Sequence, residues 1–237
     1  MTQQYDGHDL IICMGVPGSR WSGSIRAIQT CKDINTSDDH PDRIYDKSDI
    51  GSKKMLGWHR GCYWGPYHEF GQKFDKLDDM TKEEVVEEFQ RPFTNFEPGV
   101  KIIKSHWFSY HIPLLREWFP KAKLVAFYIP EDEAFEWWHK VGGWDIVYPH
   151  YDWYQNDERM RLQMEIENEC IVQHFKELRY YDLPELVEAL GLSVEFWDQE
   201  YIFNWDPKMK IMSERLEKHY EEMLNTNVKR ILTGVIG

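Results

Sequence analysis

At 237 residues, 42% of them hydrophobic, the chain is long and apolar enough for a packed domain, which excludes wholesale disorder. Its formal net charge of −13, from 28 Lys and Arg against 41 Asp and Glu, repels a phosphate backbone and argues against nucleic acid as a partner. No apolar run is long enough to cross a bilayer and residues 1–10 lack the pattern of a signal peptide, so the sequence predicts a cytoplasmic protein with no membrane partner.

The first apolar run, residues 10–14, is short and continuous, as expected of a strand buried on both faces. It leads into a Gly- and Ser-rich turn, Gly15 to Ser24, and then a helical pattern through Ile25 and Ile28 to about Lys32, with Ser22 or Ser24 as its cap. Residues 33–99 read as an insertion with little strand signal, loop over 38–54 and compact but irregular over the aromatic stretch 58–71. Within it, Thr81-x-x-Glu84 predicts a capping box for a helix ending near Gln90.

A second strand is predicted over 100–103, running into Lys104-Ser105-His106, then a helix over 112–119 stopped by Pro120, and a third strand over 123–128. This βαβ spacing implies a parallel sheet. Beyond Pro130 the pattern is helical, over 133–140, 157–179, 183–190 (Asp182 as cap, Gly191 as stop) and 206–224. The expected architecture is therefore one α/β domain over 1–237, three-layered around a small parallel sheet, with the insertion at 33–99 and a helical part from 131 to 237. The cysteines Cys13, Cys31, Cys62 and Cys170 have no CxxC spacing and read as reduced thiols.

Two segments carry candidate chemistry. Backbone amides of a Gly/Ser-rich turn make a concave anion nest, and the helix N-terminus behind it adds its positive end. The spacing Gly18-x4-Gly23 matches part of a Walker A loop, but Ser24 stands where that motif has its lysine, which counts against an ordinary ATPase or GTPase. Lys104-Ser105-His106 ends the second strand as the glycine loop ends the first, and ligands of parallel sheets bind beyond strand carboxyl ends. There a His can take a proton from an acceptor, and a Lys can stabilise charge on a transferred group. The segment holding His59, Arg60, Tyr63, His68 and Glu69 reads either as a cover for an acceptor pocket or as a packed loop. Trp137, Trp138, Trp144, Tyr151, Trp153 and Tyr154 read either as a pocket wall or as core.

Gly-x-Pro and a Ser-rich turn after one strand, followed by Lys-Ser-His at the end of another, then a helix and a strand, resembles the sulfotransferases. The likeness spans about residues 9–138. Ile102-Ile103-Lys104-Ser105-His106-Trp107-Phe108 and Glu136-Trp137-Trp138 look particularly like the virus- and marine-microbe-associated members, for which the cytoplasm would be that of the host cell. The resemblance implies a P-loop-type fold and transfer of a sulfuryl group from 3′-phosphoadenosine 5′-phosphosulfate to a hydroxyl or amine of a small acceptor, without a metal. By position, His106 is the general base and Lys104 an electrostatic helper, while Pro17, Gly18, Ser19, Arg20, Trp21, Ser22, Gly23 and Ser24 hold the donor. The chain departs from the family where Gly18 replaces a loop cation and where Tyr128-Ile129-Pro130 replaces an Arg-containing signature. A kinase-like phosphoryl transferase and a catalytically lapsed binding or structural protein of the same fold are the alternatives, and the oligomeric state is left open.

Overall fold

A computed structural model describes residues 5–29, 31–38, 61–64, 72–140, 156–193 and 232–237. The expectations for 206–224, for His59, Arg60, His68 and Glu69, and for Trp144, Tyr151, Trp153 and Tyr154 lie outside the described residues.

The strand β1, Leu10–Gly15, is buried along its whole length. Its side chains alternate between two hydrophobic clusters: Ile11 and Cys13 enter one, and Leu10, Ile12 and Met14 the other. Such a strand needs apolar cover on both faces and pairing on both edges. On one face lie the helices α1 (Trp21–Gln29), α4 (Glu131–Lys140) and α6 (Leu183–Ala189). On the other lie α2 (Lys82–Gln90), α3 (Ile112–Trp118) and two 3-10 segments, Gln72–Asp79 and His106–His111. The result is a mixed α/β fold with a small sheet between helical layers.

The sheet runs β2 (Cys62–Tyr63), β3 (Lys101–Lys104), β1, β4 (Lys123–Tyr128), β6 (Leu232–Ile236), β5 (Arg179–Tyr180). β2, β3, β1 and β4 are parallel, with Cys13 registered against Lys104 and against Val125. β6 is antiparallel to β4 and to β5, which corrects the expectation of a wholly parallel sheet. β6 escaped the sequence pattern because Gly234 interrupts its apolar run; the ring of Phe175 packs where a Cβ at Gly234 would come within 2.5 Å of it. β2 falls in a stretch expected to be irregular, since two residues are too few to show a period.

Other differences are local. The helix α1 begins at Trp21, so Ser22 and Ser24 are helical and do not cap it. The helix α5 (Asp157–His174) stops five residues before the expected end: Phe175 is extended, and the chain then supplies β5. Val172 of this helix faces outward. The Thr81 capping box is present in both directions, and Asp182 caps α6 with Glu185 in the same way.

At the amino edge of the sheet Lys101, fully buried, forms an ion pair with Asp9, whose carboxylate also accepts a hydrogen bond from the Tyr5 hydroxyl. Such pairs add little over apolar packing, but removing one partner costs about 3–5 kcal/mol because a charge is left buried. The pair therefore fixes the register of β1 and β3 more than it stabilises the sheet. Among the described residues, no helix is long and apolar enough to cross a membrane.

His111, half-buried where the second 3-10 segment meets α3, has its pKa lowered from 6.5 by desolvation, against the raising influence of Asp78 and Asp75. With the folded value depressed, the unfolded chain binds the proton first as pH falls. Its contribution to stability is present above the unfolded value of 6.5 and is lost as pH falls from there through the folded value. Thermal unfolding between about pH 7 and about pH 5 should show a smaller loss of midpoint for His111→Gln than for the parent. An equal loss in both would assign the acid sensitivity to other groups.

Candidate functional site

Lys104, Ser105 and His106 leave the sheet at the carboxyl end of β3, beside the end of β1. The Ser105 amide donates to the Cys13 carbonyl at 3.1 Å, extending the β1–β3 ladder by one step. The chain then turns. Ser105 Oγ accepts from the Trp107 amide at 3.2 Å, and Ser109 Oγ donates to the His106 carbonyl at 2.6 Å, which closes the 3-10 segment onto its first residue. His106 is thereby held at the sheet edge, its ring 4.7 Å from that of Trp107 between centroids.

A partner of His106 comes from α5, 61 residues later: Nδ1 lies 2.6 Å from Glu167 Oε1, with both side chains buried. α5 presents Met160, Met164, Glu167, Asn168 and Ile171 inward at helical spacing. Met160 and Met164 belong to the cluster on the α1 face, Ile171 and Phe175 to the cluster on the opposite face. The helix therefore crosses from one face to the other over the carboxyl edge of the sheet, and the two polar residues lie at the crossing. Asn168 Nδ2 donates to the Ile129 carbonyl, just past β4, at 2.9 Å. Gln163 Nε2 donates to Glu167 Oε1 and to the Tyr110 hydroxyl, the latter at 2.8 Å. Burial first, and the Glu167 charge second, push the Tyr110 phenol well above its usual pKa, so it stays neutral.

Lys104 is 3% exposed. Its ammonium lies 5.4 Å from the Trp64 ring centroid and 5.9 Å from that of Trp21, the first residue of α1. Among the described residues no carboxylate pairs with it, in contrast to Lys101 at the other end of the same strand. Cys13, its register neighbour, is no counter-ion either, because burial above all keeps that thiol protonated, and Lys104 only opposes the effect. Cation–π contacts near the 6 Å limit return about 0.5–1 kcal/mol each. Burying an ammonium costs several kcal/mol, so the position favours an anion strongly.

The expected donor-binding residues separate into groups. Pro17 and Ser19 are buried, and the Ser19 amide closes a turn on the Val16 carbonyl at 3.0 Å. Ser19 Oγ has no hydrogen-bond partner among the described residues. Gly18 adopts φ +77, and a Cβ there would stand 2.0 Å from the Ala134 carbonyl oxygen, so the glycine is required by the approach of α4. Arg20, at φ 63, lays its guanidinium 4.1 Å from the Trp137 ring centroid. Trp21 reaches Lys104, while Ser22, Gly23 and Ser24 form the first turn of α1. Trp138 is core, as the second reading of the aromatic run held. His106 and Lys104 thus share the carboxyl edge with the turn after β1, from which Ser19 contributes a buried hydroxyl and Trp21, itself packed against the cluster on the α1 face, an indole beside Lys104.

The sequence reading did not single out Glu167, Gln163, Tyr110 or Asn168. The available signal was the inward register of α5, in which a Glu and an Asn interrupt Met160, Met164 and Ile171; charged residues are almost never fully buried unless paired. Trp64 carries no such signal.

Gly18→Ala must fail on two counts, a left-handed φ worth about 1–2 kcal/mol against a side chain and overlap with Ala134. Chemical denaturation of this variant should report a loss of at least about 2 kcal/mol. A neutral result would remove α4 packing as the reason for the glycine.

Comparisons with protein-family models, with curated proteins and with solved structures returned no match.

Proposed function

We propose that the chain transfers a sulfuryl group from 3′-phosphoadenosine 5′-phosphosulfate to a hydroxyl or amine of a small acceptor, with His106 as general base and Lys104 facing the anionic donor. The observation that carries this reading is the Lys104 ammonium, buried between Trp21 and Trp64 with no carboxylate partner among the described residues, two positions from His106. A sulfuryl donor supplies the missing negative charge. The Ser19 hydroxyl, buried without a partner among the described residues, is a donor suited to the same oxygens. A P-loop-type layout is favoured by the parallel order β2-β3-β1-β4, with the turn after β1 opening directly into α1. Crevices of such sheets lie beyond strand carboxyl ends where connections diverge, and here β1 leads toward β2 while β4 leads the other way.

The chain's own part in the reaction is positioning and charge. The acceptor proton passes to His106 as the acceptor atom bonds to sulfur; the bond from sulfur to the phosphate oxygen breaks, and adenosine 3′,5′-bisphosphate leaves. Lys104 offsets the negative charge on the transferring group. The competing reading, a non-catalytic protein of the same fold, is favoured by Gly18, whose open side is taken by α4, and by Arg20, which stacks on Trp137.

Calorimetric titration with adenosine 3′,5′-bisphosphate, against ADP and ATP, separates the readings. Selective binding of the bisphosphate that weakens at least tenfold in Lys104→Met supports the donor site, since charge-assisted contacts each contribute about 1.5–3 kcal/mol. His106→Ala should keep that binding and lose turnover by a factor of about 100 or more. Absence of bisphosphate binding, or a preference for ATP, would sink the sulfuryl reading.

A further inference from the structure

The turn after β1 and Lys104 concern the donor; the far side of His106 raises a separate question, because its partner is a carboxylate that no part of the fold requires for packing. We propose that Glu167 is a positioning residue that holds the His106 imidazole in the tautomer bearing hydrogen on Nδ1, leaving Nε2 to carry the lone pair that takes the acceptor's proton. This rests on the reading of His106 as general base.

The hydrogen bonds around Glu167 leave one arrangement. Oε1 accepts from Gln163 Nε2, whose other hydrogen goes to the Tyr110 hydroxyl 2.8 Å away. Both amide hydrogens of Gln163 are thus spent, and Oε1 is committed as an acceptor. An ionised carboxylate only accepts, so the hydrogen between His106 Nδ1 and Glu167 Oε1, 2.6 Å apart, belongs to the imidazole. The other oxygen, Oε2, is buried with no hydrogen-bond partner among the described residues. No other described residue forms an ion pair with this carboxylate, so its charge is available to offset the imidazolium formed when Nε2 takes a proton.

The ring is also fixed in space. Its backbone is tied down by Ser109 on the His106 carbonyl, its plane lies at 36° to Trp107, and Glu167 sits on a helix anchored on both faces of the sheet. Orientation is set in part within the turn after β3, by Ser109 and Trp107, whereas the tautomer is set by Glu167 from α5. A base whose tautomer is dictated by a third group keeps its lone pair aimed at the same point through the cycle.

The tautomer can be read without any donor or acceptor. Two-bond proton–nitrogen correlation spectra of nitrogen-15-labelled protein should show His106, in its neutral ring, as the Nδ1–H form, its signals being assigned by their loss in His106→Asn. Glu167→Gln keeps an oxygen for Nδ1–H and should keep that form. Glu167→Met removes both oxygens and should move the ring to the Nε2–H form, with the unfolding midpoint as control for fold. An Nε2–H ring in the parent protein, or an Nδ1–H ring persisting in folded Glu167→Met, overturns the proposal. Should Glu167→Met not fold, the parent spectrum decides alone. In turnover, Glu167→Gln should lower kcat by about a hundredfold with little change in KM; equal activity in both would overturn the role in proton transfer. Failure to bind the bisphosphate with an Nδ1–H ring removes the sulfuryl reading and leaves the pair, whereas bisphosphate binding with an Nε2–H ring does the reverse.

Discussion

The fold turns on β1. Six consecutive residues buried on both faces cannot be satisfied by one layer of helix, and a strand paired on both edges cannot lie at the rim. Everything else answers those demands: α1, α4 and α6 on one side, α2, α3 and the 3-10 segments on the other, β3 and β4 along the edges. Polar chemistry is thereby expelled from the sheet's middle. It collects at the two ends, and the two ends of β3 show how differently. At the amino end Lys101 meets Asp9 and is neutralised; at the carboxyl end Lys104 is enclosed by two indoles and meets no carboxylate among the described residues.

That asymmetry sets global charge against local charge. The chain carries thirteen more negative than positive groups, yet Lys104, buried and without a carboxylate partner among the described residues, sits where parallel strands end. Net charge governs solubility and long-range encounter, whereas a ligand in a concave site responds to the few groups within a Debye length and behind low-dielectric walls. An acidic protein with a buried ammonium that meets no carboxylate among the described residues can still favour a small anion while rejecting a polyanion.

α5 gives the edge its second component. A helix that only covered a face would bury a single apolar stripe, but α5 changes faces midway, and at the change it needs groups that can meet exposed backbone and the end of β3. Asn168 closes the Ile129 carbonyl and Glu167 meets His106. Buried acceptors left over at Glu167 Oε2 and Asn168 Oδ1, and the buried hydroxyl of Ser19, carry a desolvation cost of about 1–3 kcal/mol each. Packing alone gives no return on that cost, and such leftovers are common where a protein keeps groups for a ligand.

From the sequence by itself came whatever is encoded locally. The apolar run of β1, the 123–128 strand, the capping boxes at Thr81 and Asp182 and the end of α6 at Gly191 all express short-range rules of burial, hydrogen bonding and left-handed glycine, and Lys104-Ser105-His106 was legible because it follows a strand directly. The tertiary structure alone decided what depends on distant partners: that Gly18 makes way for α4, that β6 pairs antiparallel to β4, and that Lys104 finds two indoles where Lys101 finds a carboxylate. Above all it decided that a glutamate 61 residues beyond His106 faces its ring. The physical reason is that a hydrogen bond or an ion pair depends on separation in space, while local pattern reports only which face of its own element a residue occupies.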